Sequence, residues 1–135
     1  EVYAAALSHC DFQMARILIV DDDPNVLELV RELLSMQGHT PDLAADGAEA
    51  LSKMRQARYD LLIIDYHMPV MDGLQTLAAL AGEPALRPKT VLMFTSVADP
   101  MVLAKATQAG ADGCLHKPVQ LAQFSAAVRQ ALGPG

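Results

Sequence analysis

Asp60-Leu61-Leu62-Ile63-Ile64-Asp65-Tyr66-His67-Met68-Pro69-Val70-Met71-Asp72-Gly73 runs one short apolar segment straight into a lone carboxylate, Asp65. Leu61 to Ile64 is too short for a helix and rich in branched residues, the pattern of a strand buried on both faces. Asp65 then stands at the exit of that strand. Open parallel sheets bind ligands in the crevice outside the carboxyl ends of their strands, so an acid in this position has chemistry open to it.

Upstream, Ile17-Leu18-Ile19-Val20 reads as another buried strand, ended by Asp21-Asp22-Asp23-Pro24. Asp23 and Pro24 fit a helix N-cap and first position, and Val26, Leu27, Val30, Leu33 and Leu34 recur at helical spacing up to a stop at Gly38. Capping explains only one of the three acids. Thr40 to Ala44 reads as a short strand whose Pro41 cannot donate a ladder hydrogen bond, which assigns it to a sheet edge. Asp46-Gly47 turns into a helix with Ala48, Leu51 and Met54 on one face. Downstream, a helix marked by Leu74, Leu77 and Ala81 is stopped by Gly82 and Pro84. Thr90 to Phe94 is a fourth strand ending in Thr95-Ser96, and Asp99-Pro100 repeats the cap-then-proline signature. Gly110 stops that helix. Gly113 to His116 is a brief fifth strand ending at Lys117-Pro118, and Leu121, Phe124, Val128 and Leu132 stripe a last helix.

Five strand-helix units joined by right-handed crossovers predict an α/β fold: a doubly wound, five-stranded parallel sheet of flavodoxin-like type, in the order 2-1-3-4-5. Strands one and three are neighbours in that order, so Asp21, Asp22 and Asp65 leave adjacent strand ends about 4.8 Å apart.

Composition limits what such a rim serves. The 135 residues suit one domain, and 4% aromatic content without Trp leaves little for aromatic stacking. A formal charge of -6 with no basic run argues against direct nucleic-acid binding. Cys10 and Cys114 stand in no Cys-x-x-Cys or Cys/His cluster, which reads as reduced thiols and a cytoplasmic setting. No apolar run approaches the roughly 18 residues of a membrane span, and Glu1 to Gln13 lacks the build of a signal peptide, so no membrane partner is expected. Met14-Ala15-Arg16 ahead of a strand looks like a natural start. Residues 1–14 are therefore expected to be an N-terminal extension or leader, with Tyr3 to Leu7 able to form a helical turn. Residues 15–132 then form one domain, and 133–135 a tail or the start of a linker.

Carboxylates held together repel and raise one another's pKa unless a cation neutralises them. Mg²⁺ takes hard oxygens, commonly one or two carboxylates completed by water or phosphate, and no His or Cys set here suits zinc. Asp65 in such a pocket has the chemistry to attack a phosphoryl group and form an aspartyl phosphate. Lys117 would supply a cation for the phosphoryl oxygens, and Thr95 or Ser96 a hydroxyl donor. Each has a plain structural role available; acid pair, lone acid, hydroxyl and lysine at successive strand ends are improbable together.

The chain resembles the receiver domain of two-component response regulators, CheY-like in fold, from Ala15 to Leu132. The matching pieces are Val20-Asp21-Asp22, Asp65-Tyr66-His67-Met68-Pro69 with Asp72-Gly73, Thr95-Ser96 and Lys117-Pro118. The resemblance implies that Asp65 is phosphorylated from a histidine kinase or histidine phosphotransfer protein. It further implies that Asp21, Asp22, Asp65 and the His67 backbone carbonyl hold Mg²⁺, with Mn²⁺ able to substitute. Thr95 would sense the phosphoryl group, Lys117 would contact it, and Pro118 would follow a cis peptide bond. The face of helix four, strand five and helix five would then rearrange for an output partner. Cys114 departs from the pattern, standing where the family usually has Tyr or Phe. A small thiol does not sweep out that volume, so the expected change runs through loop and helix-four movement. His67 and Val97 occupy positions that tune dephosphorylation in the family; Val97 offers no polar group to orient water, and slow self-dephosphorylation is expected.

Two other classes share the architecture. A metal-dependent phosphohydrolase with an aspartyl nucleophile usually carries a second acid two residues on, where this chain has His67. Flavin binding fits poorly with an acidic pocket lacking a phosphate-cradling loop.

Overall fold

In the computed structural model, which describes residues 15–96, 100–118 and 120–132, strand and helix alternate along the chain. The elements are β1 (Ile17–Val20), α1 (Pro24–Met36), β2 (Asp42–Ala44), α2 (Gly47–Gln56), β3 (Leu61–Asp65), α3 (Gly73–Ala81), β4 (Thr90–Thr95), α4 (Pro100–Ala109), β5 (Gly113–His116) and α5 (Leu121–Leu132). A 3₁₀ turn, Pro84–Leu86, precedes β4. The strands are all parallel in the order β2-β1-β3-β4-β5, as the sequence predicts. Tyr3 to Leu7, Cys10, Val97, Asp99 and the tail lie outside the described residues.

Because side chains alternate across a strand, the central strands feed two cores. Leu18, Val20, Leu62, Ile64, Val91 and Met93 meet α2, α3 and α4 through Leu51, Met54, Leu77, Leu80 and Ala106. Ile17, Ile19, Leu61, Ile63, Leu92 and Phe94 face Val30 and Leu34 of α1 and Phe124 and Val128 of α5. A strand clad on both sides has no polar position to spare, which is why β1 and β3 read as unbroken apolar runs.

Aspartate caps start three of the helices. Asp23 accepts from the Asn25 N–H at 2.9 Å, and Asp46 from the Glu49 N–H at 2.8 Å. Asp72 and Gln75 form a reciprocal capping box. Several sequence expectations shift in detail. Pro41 lies just before β2 rather than within it, and Ala50, not Ala48, faces the core beside α2's Leu51 and Met54. In α3 the buried apolar positions are Leu77 and Leu80, with Ala81 exposed, and Leu121 of α5 is about half-exposed rather than core. Alanine-rich and short helices carry too weak a periodicity to fix the facing residue to within one position.

Arg87 holds the far end of α4. Its guanidinium donates to Gly110 O at 2.6 Å, Asp112 Oδ2 at 3.0 Å and Pro88 O at 2.9 Å. Helix α4 has no basic residue in its last turn, so a side chain from outside the helix supplies the donor its terminal carbonyls favour. Arg87→Met is expected to cost about 1–3 kcal/mol, read as a lowered urea midpoint at unchanged m. An unchanged midpoint would show the clamp to be idle.

Candidate functional site

Parallel register brings the sequence-predicted residues to one rim. Val20 pairs with Ile64, Asp65 with Phe94, and Thr95 with His116. Asp21 therefore leaves β1 beside Asp65, and Lys117 follows β5 beside Thr95. The Asp21 N–H donates to Ala44 O at 3.1 Å and the Lys117 N–H to Thr95 O at 3.0 Å, extending the ladders into the site. Oxygens of Asp21, Asp22 and Asp65 all lie within 4.8 Å of one another. Lys117 Nζ stands 2.7 Å from Asp21 Oδ2 and 3.3 Å from Asp65 Oδ1, and 5.2 Å from the centre of the Phe94 ring. The Lys117-Pro118 bond is cis.

Burial makes this cluster consequential. Asp21, Asp65 and Thr95 are buried, whereas Asp22, His67 and Ser96 are exposed. Burial first, and then the neighbouring Asp21 charge, push the Asp65 carboxyl up to about 6; Lys117 pulls against them and Asp22 adds to them. Burial alone would depress the Lys117 ammonium, and its contacts with Asp21 and then Asp65 outweigh that, holding it above the usual lysine value. Three carboxylates against one ammonium leave two negative charges at the rim, enough to attract a divalent cation.

The donors fit such an ion. Asp21 Oδ1 accepts from the Asp23 N–H at 2.9 Å. Its buried Oδ2 meets the Lys117 ammonium at 2.7 Å as an ion pair and has no other donor among the described residues. A buried anionic oxygen left in this way is costly without a further partner. The side-chain donors are all carboxylate oxygens, a set suited to Mg²⁺ or Mn²⁺ rather than to a soft metal.

The loop from β3 to α3 closes back on the end of β3, and Gly73 makes that closure possible. A Cβ on Gly73 would come within 2.4 Å of Asp65 O, and the Gly73 N–H donates to Tyr66 O at 3.1 Å. Gly47 is packed as tightly: a Cβ there would reach Thr76 Oγ1 at 2.0 Å and Met71 O at 2.9 Å. Sequence reasoning treats both as turn glycines. Their Asp-Gly pairs mark the helix starts, but no local signal reveals the close approach.

A family model, the response regulator receiver domain, matches residues 17–129. The chain belongs to the response regulator receiver family. It is 38% identical over 117 residues to the transcriptional regulatory protein PrrA of Mycobacterium leprae, covering 87% of this chain and 49% of that protein. It is 30% identical over 122 residues to the DNA-binding response regulator MtrA of Mycolicibacterium smegmatis, covering 90% of this chain and 52% of that one. The chain thus spans about half the length of the curated relatives it matches. Among solved structures, chemotaxis protein CheY4 of Vibrio cholerae superposes with a TM-score of 0.82 at 32% identity, covering 87% of this chain and 98% of that chain. The receiver domain of a signal transduction histidine kinase from Syntrophus aciditrophicus gives 0.79 at 32% identity, covering 87% and 89%.

Within this receiver domain Cys114 is a free thiol, half-buried against the α2–α4 core, and burial pushes its pKa up. No described helix is long and apolar enough to cross a membrane.

Proposed function

We propose that Asp65 accepts a phosphoryl group from a phosphohistidine on a histidine kinase or histidine phosphotransfer protein, in a Mg²⁺-dependent reaction that switches partner binding. The observation that carries this reading is the convergence of Asp21, Asp22 and Lys117 on Asp65 at the carboxyl end of the sheet. Asp21, Asp22, Asp65 and the His67 carbonyl would hold the metal. When bound, Mg²⁺ would offset the rim's negative charge and orient phosphoryl oxygens. Mn²⁺, with the same preference for oxygen, would substitute.

An Asp65 oxygen attacks phosphorus, the P–N bond breaks, and the imidazole nitrogen leaves with the bonding pair and takes a proton. Of the three acids, Asp65 is the one for this step. Asp21 accepts from the Asp23 N–H through Oδ1 and has only the buried Oδ2 left for the ion, and Asp22 stands out in solvent. Lys117 neutralises charge developing on the phosphoryl oxygens. The Thr95 hydroxyl, with Ser96 beside it, senses the new group. With Cys114 in place of the family's aromatic, the response passes through the loop after β4 and through α4 to the α4–β5–α5 face, where an output partner docks. Residues 15–132 act as a cytoplasmic signalling domain whose receiver unit itself contacts neither nucleic acid nor membrane.

Incubation with acetyl phosphate, a small acyl-phosphate donor, tests the reading by intact mass. The expected result is gain of one phosphoryl group that requires Mg²⁺, is removed by hydroxylamine and decays slowly without a phosphatase. Steady release of phosphate with no modified protein would favour the phosphohydrolase alternative instead.

A further inference from the structure

The register of β4 and β5 sets Leu92 beside Gly113 and Phe94 beside Leu115, so all four belong to the sheet face that α1 and α5 cover. Gly113 brings no side chain to that face, and α5 meets it with Ala127 and Ala131, one turn apart. The cover is therefore incomplete at this corner. Leu92 keeps 8% exposure where Val91 and Met93, on either side of it, keep none. A cleft of about 440 Å³ opens there between β5 and the last turns of α5. A Cβ on Gly113 would come within 3.2 Å of Leu92 Cδ2, so any side chain at that position would crowd the cleft's own floor. Lys89 and Thr90 also line it, which places it at the amino end of β4, away from the acid rim at the carboxyl ends.

Sites for small ligands run from roughly 300 to 1,000 Å³, and this cleft falls in the lower part of that range. Its polar groups are not equally available. Asp112 Oδ2 already accepts from the Arg87 guanidinium at 3.0 Å and from the Val91 N–H at 2.8 Å. The Thr90 hydroxyl donates to Ala131 O at 3.1 Å. Lys89 differs: its side chain is 82% exposed, and the carboxylate beside it, Asp60 Oδ1, stands off at 3.7 Å, an exposed contact worth little in water. The charge left to be answered at the cleft is therefore positive, above an apolar floor.

We propose that this cleft is a second ligand site, taking a small carboxylic acid with a short apolar body. The body covers Leu92, Ala127 and Ala131, and the carboxylate meets the Lys89 ammonium. Apolar burial supplies most of the affinity, and the charge fixes the orientation. The site shares no residue with the acid rim, so it stands independently of the phosphoryl chemistry proposed above. A ligand of about ten non-hydrogen atoms seated in this way should bind with a Kd on the order of 0.1–1 mM.

Octanoate and its neutral analogue octanamide, titrated into the full chain by calorimetry and followed by amide NMR shifts, are the probes. Octanoate should bind within that range, more tightly than octanamide, and should shift the amides of residues 113–115 and 127–131 rather than those of Asp21, Asp22 and Asp65. Lys89→Gln should weaken octanoate about two- to fivefold and leave octanamide unchanged. Ala127→Leu, which fills the cleft, should lose both ligands while its circular dichroism remains that of the folded protein. If Ala127→Leu does not fold, Lys89→Gln decides with the two ligands, because Lys89 is a surface side chain. No saturable binding of octanoate up to about 10 mM, equal binding of the acid and the amide, or octanoate affinity unchanged by Lys89→Gln would each overturn the proposal.

Discussion

Asp65→Asn is expected to take up no phosphoryl group and yet, without metal near neutral pH, to be more stable than the wild type. The first effect follows from removing the nucleophilic carboxylate. The second follows from what burial and Asp21 do to that carboxylate. In the folded chain its pKa rises from the ordinary 3.8 to about 6, so the folded state holds the proton more tightly than the unfolded chain does. Stability linked to this group is fully present below 3.8 and is lost as pH rises through about 6. Above that, ionised Asp65 costs the fold on the order of 2–3 kcal/mol, a cost that a neutral amide does not carry. The gain in Asp65→Asn should therefore grow across the interval from pH 4 to 7 and vanish in acid, read from urea midpoints at each pH. Mg²⁺ should narrow the gap by stabilising the wild type more than the variant. An Asn variant less stable than wild type at every pH would mean that Asp65 is held by favourable contacts and is not strained by like charge.

Lys117→Met carries the opposite sign. Lys117 is the cation that reaches both Asp21 and Asp65, with its side chain 21% exposed. Its removal leaves two buried carboxylates facing each other, and breaking a buried pair from one side costs about 3–5 kcal/mol. We expect a loss near the lower end of that range, about 3 kcal/mol, because Asp22 and one edge of the rim stay open to water. The deficit should shrink as pH falls toward about 6, because without the ammonium that holds its pKa down Asp65 takes its proton at a higher pH than in the wild type. It should shrink again when Mg²⁺ is added near neutral pH. The lysine itself stays charged throughout, since its pKa lies above the ordinary 10.5. A deficit independent of both pH and Mg²⁺ would assign the loss to packing of the lysine stem instead.

The sheet and its acid rim were legible for a physical reason. Strands buried on both faces must be continuous apolar runs, so the first polar residue after each run marks a strand exit, and strand order then lines the exits up. Asp21, Asp65 and Thr95 each follow or close such a run, whereas Lys117 follows the short, half-exposed edge strand β5. The left-handed backbone of Val70, at φ 69, was hidden because a β-branched residue argues against that conformation; only the closure of residues 66–73 on the end of β3 forces the turn. Arg87 was hidden because its partners are backbone carbonyls and a carboxylate 25 positions away, which no spacing rule connects. Gly47 and Gly73 showed as punctuation, while the approach of Thr76 and of the β3 backbone exists only in the folded chain.

The central claim is that a rim of acids singles out one carboxylate for modification, and the most direct measurement locates the phosphoryl group. After reaction with acetyl phosphate and Mg²⁺, borohydride reduction converts an aspartyl phosphate to homoserine, which peptide mass mapping assigns to a position. Homoserine is expected in place of Asp65, with the Asp21-Asp22 pair unmodified. Homoserine at position 21 or 22, or a label on Ser96 or Thr95 that survives hydroxylamine, would contradict it.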